Sequence, residues 1–495
     1  MNFSLISLEI AVVILALGVL LGDLWTPAQH KRKLGYAAAA GLLLIFIFSI
    51  FARKELFPSG GTEILADYAF GKMFVVDGLA TFFKQFFILA ALFVIIMAAE
   101  FADRIKTGIA EFYSLILMAL AGMLFASSAN DFVLVFVALE LITITFYILN
   151  SFQRNRISSL EAGIKYLILG AVSTAFFVFG LAFVFGISGT TNFSELHSLL
   201  STNPVLGTQP LFLAGLFFIF VGLAFKLAAF PMQVWAPDVY QGSPAPATAF
   251  LAVGSKAAGI VLLLRVLFIA VPQVALEWTN LLIGIAAITI LYGNLCAIPQ
   301  RNLKRLMGYS SIANAGYLLL GFAALTRTGS SAVLYYLAGY LFTVIAAFTV
   351  IVLVTRQQDS DDITVLAGLG RRSPFLAAAL TLAMVSLAGI PPLAGFFGKF
   401  LLLKAVVEQG ASNTAYYVLV GVAIAGVVMS LYYYFGVIRA IYWSRDPNDL
   451  SPIAISIPTR LSLGVCMAGM LYLGVNPEPA IQLTKAAVKV LNIGI

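Results

Sequence analysis

Apolar stretches of about 20 residues, separated by short polar punctuation, run almost from one end of this chain to the other. A helix that crosses a bilayer needs about that length. The rule yields about fourteen spans, at roughly 5–25, 35–52, 78–100, 109–128, 131–151, 158–187, 209–230, 245–270, 277–297, 303–325, 330–355, 374–404, 414–442 and 459–475. The first run, Leu5 to Leu24, contains Glu9 and lacks a basic leader, so it reads as a span and not a cleaved signal. The longest connection, Arg53 to Asp77, alternates around Ala69 to Val76 and predicts a small hairpin at the membrane surface. Beyond the last span, Pro477 to Ile495 sets Lys485 and Lys489 on an apolar helical pattern, suited to an interfacial or partner-docking helix.

Two spans carry breaks. Lys226-Leu-Ala-Ala-Phe-Pro231 opens a proline-rich stretch in the seventh, and Gly389-Ile-Pro391-Pro392 interrupts the twelfth ahead of Lys399. Proline removes an intrahelical hydrogen bond and frees carbonyls, which at membrane depth is tolerated where the backbone lines a cavity. The breaks lie five helices apart, and a unit with an odd number of helices enters the membrane upside down when repeated. The pattern therefore predicts an all-α polytopic membrane protein with two inverted five-helix repeats and broken helices 7 and 12. Its expected divisions are 1–108 (helices 1–3), 109–271 (first repeat), 272–443 (second repeat) and 444–495 (helix 14 and an amphipathic tail). Proline kinks serving packing alone are the plainer alternative.

Composition agrees: 61% of residues are hydrophobic and 10% charged, too little polar surface to cover a water-soluble protein of 495 residues. The net charge of +7 is then a matter of loop asymmetry and not a nucleic-acid footprint. One set of loops, with Lys31, Arg32, Lys33, Arg104, Arg154, Arg156 and Arg445, is richer in lysine and arginine than the other, which holds Lys72, Lys485, Lys489 and, against the trend, Arg53 and Lys54. The excess puts both termini on the non-cytoplasmic side. Cys296 and Cys466 are far apart and His30 and His197 fall in loops, which leaves no ligand set for zinc, haem or an iron–sulfur cluster. No phosphate-binding glycine loop appears. Any redox or nucleotide chemistry that drives the protein must reside elsewhere.

Against this apolar background stand Glu140, Lys165, Lys226, Lys256, Lys304 and Lys399. A charge at bilayer depth costs at least ~2.5–3.5 kcal/mol and usually marks ion or proton traffic. Glu140 lies nine residues past Asp131, too deep for a short carboxylate to reach water. Glu161 and Lys165 share a face of the next helix by their i,i+4 spacing. A Glu140–Lys165 pair would exchange a proton as the local field changes, or would merely lock two helices. Lys226 and Lys256 suit a group that loads and releases a proton, and Lys399 plays that part beside the second break. Snorkelling, or pairing with Asp238 or a carbonyl, is the alternative. Lys304, beside Arg301 and Arg305, reads equally as a surface anchor, while Tyr309, Ser310 and Ser311 offer hydroxyls to a water chain. Arg265, Lys84, Glu9 and Glu111 lie near span ends and are read as snorkelling.

Phe225-Lys-Leu-Ala-Ala-Phe-Pro-Met-Gln-Val-Trp-Ala-Pro-Asp-Val-Tyr-Gln-Gly-Ser-Pro244, Lys304-Arg-Leu-Met-Gly-Tyr-Ser-Ser-Ile-Ala-Asn-Ala-Gly-Tyr317 and Gly389-Ile-Pro-Pro-Leu-Ala-Gly-Phe-Phe-Gly-Lys-Phe400 resemble the antiporter-like subunits of respiratory complex I, most closely the subunit N family of NADH:quinone oxidoreductase. The resemblance covers essentially the whole chain. It implies a membrane-arm subunit of the cell inner (cytoplasmic) membrane that moves protons outward while other subunits pass electrons to quinone. It carries the family's proton-relay roles onto Glu140, Lys165, Lys226, Lys256, Lys304 and Lys399, with Glu161, Tyr309, Pro231 and Pro391 supporting. No cofactor is expected on this chain; NADH, FMN, iron–sulfur clusters and quinone belong to partner subunits. The expected partners are neighbouring antiporter-like and small membrane subunits and the lipid bilayer, with no nucleic acid. This chain departs from the pattern at Gln233 and Asn314, where the family often has histidine and where neither residue can titrate. A cation/proton antiporter subunit of the same architecture, without redox coupling, is the alternative; an inert scaffold is a second.

Overall fold

The computed structural model of the chain describes residues 3–51, 66–356, 360–411, 413–443 and 451–493. Arg53, Lys54 and Arg445, used above for orientation, lie outside them. The first helices are α1 (Ser7–Trp25), α2 (Lys31–Phe51), α3 (Gly78–Phe101), α4 (Ile109–Ser127), α5 (Phe132–Asn150) and α6 (Ile157–Ser188). A surface helix α7 (Phe193–Thr202) leads to α8 (Pro210–Leu227), α9 (Ala236–Gly242) and α10 (Ala245–Ala270). There follow α11 (Thr279–Ala297), α12 (Leu303–Ala323), α13 (Arg327–Thr355), α14 (Pro374–Ala388), α15 (Ala394–Gln409), α16 (Ala415–Trp443), α17 (Ile457–Val475) and the tail helix α18 (Glu478–Ala487).

Each span expected from hydropathy is helical, the one at 374–404 as two helices. Among the described residues, twelve helices are long and apolar enough to cross a membrane. Two expected spans fall outside that group for physical reasons. α12 has 21 residues but spends several on Lys304, Arg305, Ser310, Ser311 and Asn314. The span at 374–404 is split by its break into α14 and α15, of 15 and 16 residues.

The expected hairpin is present: β1 (Asp67–Ala69) pairs antiparallel with β2 (Phe74–Val76). It is stitched to the α4–α5 turn by Val75 N–H donating to the Ser128 carbonyl (2.9 Å) and Asn130 N–H to that of Met73 (2.8 Å). Asp77 ends the hairpin and caps α3, accepting from Ala80 N–H at 2.7 Å. α10 is buried along its whole apolar stretch and forms the centre, whereas α1, α2 and α6 turn large apolar side chains outward. With lipid outside and protein inside equally apolar, helix association rests on close packing. A β-carbon on Gly180 of α6 would lie 2.4 Å from the Gly215 carbonyl of α8, and one on Gly293 of α11 equally close to the Ala313 nitrogen of α12. The tail helix α18 docks on its own chain: Thr484 bonds Ser331 of α13 at 2.9 Å and Lys485 and Lys489 stay exposed.

Candidate functional site

Both breaks form as expected, and they present their lysines differently. α8 ends at Leu227, with Ala228 in the left-handed region (φ +55°). Lys226 therefore sits on the last turn before the break, which contains Pro231. The Phe225 carbonyl accepts from Ala228 N–H (3.1 Å) and from the Trp235 indole N–H (3.0 Å), and Phe230 N–H donates to the Thr289 hydroxyl (3.1 Å). α14 ends at Ala388, with Gly389 at φ +81°, a conformation glycine adopts without strain. Pro391 lies in this second break. Lys399 stands in the half-helix after it and reaches back, its Nζ donating to the Leu387 carbonyl at 2.7 Å. It thus places a cation against the carbonyl end of α14, where the helix dipole favours it.

Three of the lysines are buried and held by neutral groups. Lys226, 5% exposed, donates to the Thr143 hydroxyl, and its Nζ lies 5.8 Å from the Tyr166 ring centre. Lys256 follows a five-residue π turn, Leu251–Ser255, and donates to both the carbonyl and the hydroxyl of Ser311 at 2.5 Å. π turns inside helices are frequent at functional sites. Ser311 also bonds the Tyr240 hydroxyl (2.9 Å) and accepts from that of Tyr340 (3.3 Å). Lys399 lies with its Nζ 4.6 Å from the Tyr317 ring centre. Among the described residues, none of the three has a carboxylate partner.

The other charges are carboxylate-bound or separate, and here the geometry corrects the sequence reading. Glu140 and Lys165 do not pair. Glu140 accepts from Thr174 of α6 at 2.7 Å, and Thr174 is nine residues beyond Lys165, roughly 14 Å along the helix. Lys165 bridges Glu161 and Asp238, both at 2.6 Å. Asp238 also receives Arg305 at 2.5 Å, so it binds neither Lys226 nor Lys256. Lys304 is buried and tied to Asp361 in the loop after α13 (3.1 Å) and to the Ser243 carbonyl between α9 and α10 (3.2 Å). Tyr309 stands beside Arg305 and Tyr292 and not beside Lys256.

At position 314, one of the two lacking histidine, polar contacts remain. Tyr336 donates to Asn314 Oδ1 (2.5 Å), and Asn314 Nδ2 donates to the Ser310 carbonyl (2.9 Å). The Ser310 hydroxyl bonds that of Tyr434 at 2.5 Å. Gln233 is buried, and its Oε1 accepts no hydrogen bond among the described residues.

The sequence reading missed two buried ion pairs and treated Arg265, Lys84 and Glu9 as snorkelling. Arg265 is wholly buried and forks onto Asp77 at 3.0 and 3.1 Å. Lys84 and Glu9 meet at 2.7 Å, both buried. Proximity to span ends hid them. The tyrosines Tyr240, Tyr336, Tyr340 and Tyr434 were missed as well, because no spacing along one helix foretells hydroxyls converging from three.

The family model for the NADH:quinone oxidoreductase/Mrp antiporter transmembrane region matches residues 129–425. The NADH-quinone oxidoreductase subunit N of Moorella thermoacetica is 39% identical over 481 residues, covering 97% of this chain and 96% of that one. A chain of respiratory complex I from Thermus thermophilus with bound aureothin superposes with a TM-score of 0.78 at 31% identity, covering 96% of this chain and 98% of its own. A chain of the Mrp complex from Dietzia sp. DQ12-45-1b gives 0.82 at 19% identity over 99% and 98%, a likeness of fold alone. The fold is thus shared by a chain of respiratory complex I and a chain of the Mrp complex, and by sequence the chain belongs to the NADH:quinone oxidoreductase/Mrp antiporter membrane family, among its subunit N members.

Proposed function

We propose that this chain is a proton-translocating membrane-arm subunit of an NADH:quinone oxidoreductase, with Lys226, Lys256 and Lys399 as the groups that carry the proton. The carrying observation is the sorting of lysines by partner. Lys84, Lys165 and Lys304 are bound by carboxylates, whereas Lys226, Lys256 and Lys399 are buried on a hydroxyl or a carbonyl. An adjacent opposite charge holds a lysine in its charged form, while burial favours the neutral one. Only the second class can change protonation without breaking an ion pair.

Glu140 supplies the field at the entrance. It lies on α5 one turn before Thr143, the residue that holds Lys226, and is partly exposed on the outer face, where a neighbouring subunit's charge can act on it. Lys165, between Glu161 and Asp238, couples α6 to the half-helix α9 behind the first break. From Lys226 the proton passes to Lys256, along the hydroxyls and water near Ser310 and Ser311, and leaves through Lys399. Carrying one charge against 100 mV costs ~2.3 kcal/mol. A pKa swing of about 2 at one carrier, worth ~2.7 kcal/mol, covers that. We further assign the chain to the cytoplasmic (inner) membrane with both termini outside, its two halves 109–271 and 272–443 as inverted repeats in a fourteen-span total, and the flavin, iron–sulfur and quinone chemistry to partner subunits.

Lys226→Met is the direct test. In inverted membrane vesicles, the variant oxidises NADH when uncoupled but yields fewer protons per NADH than the parent complex. An unchanged yield removes Lys226 from the path. Parent vesicles that exchange cations for protons without any quinone-linked electron flow would instead establish the antiporter reading. Lys304 is expected to behave differently: Lys304→Met leaves Asp361 without its cation and lowers stability by about 1.5–3 kcal/mol. Thermal denaturation shows that loss, while the proton yield of the assembled variant is less affected than that of Lys226→Met.

A further inference from the structure

A basin of about 990 Å³ opens at the membrane edge where α3 ends, α4 begins, α5 ends and α6 begins. Five cations line it, Arg104, Lys106, Arg154, Arg156 and Arg356, against two carboxylates, Asp103 and Glu111, which leaves a balance of +3. Two of the cations are committed: Arg104 to the carbonyls of Thr355 and Arg356, and Arg356 to Glu100 and Asp103. Lys106, Arg154 and Arg156 have no carboxylate partner among the described residues, and Lys106 and Arg154 are exposed. α4 and α6 both start at this basin, on Gly108 and Arg156, and neither start is capped by a side chain. Their free N–H groups add to the attraction for an anion.

The basin does not end in water. It shares Ile148, Phe152 and Arg154 with a second cavity of about 480 Å³ that runs down the outer face between α5 and α6. That groove is walled by Leu160, Ile164 and Leu167, side chains turned outward along roughly 10 Å of helix. Its floor is set by Gly163, where a β-carbon would meet the Ser151 side chain at 2.4 Å. A cationic bowl continuous with an apolar groove along the membrane normal matches one ligand class.

We propose that this site binds an anionic phospholipid, its phosphodiester among Lys106, Arg154 and Arg156 and an acyl chain along Leu160, Ile164 and Leu167. A soluble phosphate would use the bowl and leave the groove empty, and a zwitterionic lipid would fill the groove and gain little from three unpaired cations. None of Lys226, Lys256 and Lys399 lines the site, so it holds or falls whatever becomes of their assignment.

Native mass spectrometry of the purified complex, equilibrated with either phosphatidylglycerol or phosphatidylcholine, tests it with two variants. Lys106→Gln/Arg154→Gln/Arg156→Gln removes the cations, and Ile164→Trp fills the groove from an exposed position. Both are expected to lose one retained phosphatidylglycerol per complex, with phosphatidylcholine unchanged. Lys485→Gln/Lys489→Gln, which removes two cations far from the basin, is expected to lose none. Loss in the triple variant but full retention in Ile164→Trp would assign a headgroup-only anion site and overturn the phospholipid reading. Equal loss of both lipids, or no loss in either variant, would overturn it too.

Discussion

Replacing Arg265 by methionine is expected to lower the stability of the chain by about 3–5 kcal/mol, the usual cost of stranding one member of a buried ion pair. Arg265 is wholly enclosed, and its guanidinium makes three specific hydrogen bonds. Its two terminal nitrogens donate to the two oxygens of Asp77, and Nε donates to the Ser127 carbonyl at 2.8 Å. It thereby ties the end of α10 to the start of α3 and the end of α4. Asp77 has a second duty as the cap of α3, so removing the arginine leaves a buried carboxylate with only a backbone partner. Arg265→Lys keeps the charge but cannot fork, and is expected to fall between parent and methionine variant. Removing both charges together, as Asp77→Asn/Arg265→Met, is expected to recover part of the loss, since no lone buried ion remains. Thermal denaturation of the detergent-solubilised complex, read as subunit release, gives the order. Equal midpoints for parent and Arg265→Met would show that the pair contributes nothing to the fold.

How much of this was legible in the sequence follows from what a one-dimensional pattern encodes. Hydropathy reports depth and located the helices, alternation located the hairpin, and the prolines located both breaks. Hydropathy also placed Lys226, Lys256 and Lys399 within apolar spans. What hydropathy does not report is the partner. Lys165 was matched with Glu140 because both are charges in adjacent helices, yet the rotation and stagger of α5 against α6 put Thr174 and not Lys165 opposite Glu140. Asp238 takes Lys165 and Arg305 because α9 turns back beneath the first break, a direction fixed by the backbone of residues 228–235 and not by any periodicity. Arg265 and Lys84 were misjudged for a related reason. A long side chain near a span end has two ways to satisfy its charge, outward to water or inward to an acid. Only the neighbouring helices decide which.

The second large effect separates a lysine's charge from its ability to lose a proton. Lys399→Met and Lys399→Arg are both expected to slow proton transfer through the second half by ~10²-fold or more, the scale on which a positioned proton-transfer group acts. They fail for different reasons. Methionine removes the charge and leaves the Leu387 carbonyl at the buried end of α14 without its donor, a further cost of about 1–3 kcal/mol in stability. Arginine keeps a cation and a donor at that carbonyl, but a guanidinium does not deprotonate under any condition the protein meets. If Lys399 serves only to cap the half-helix, arginine restores both assembly and proton yield, and methionine loses both. If it carries the proton, arginine restores assembly alone. Proton yield per NADH in vesicles, set beside the melting temperature of the same complexes, distinguishes the two cases, and a full rescue of the yield by arginine removes Lys399 from the path.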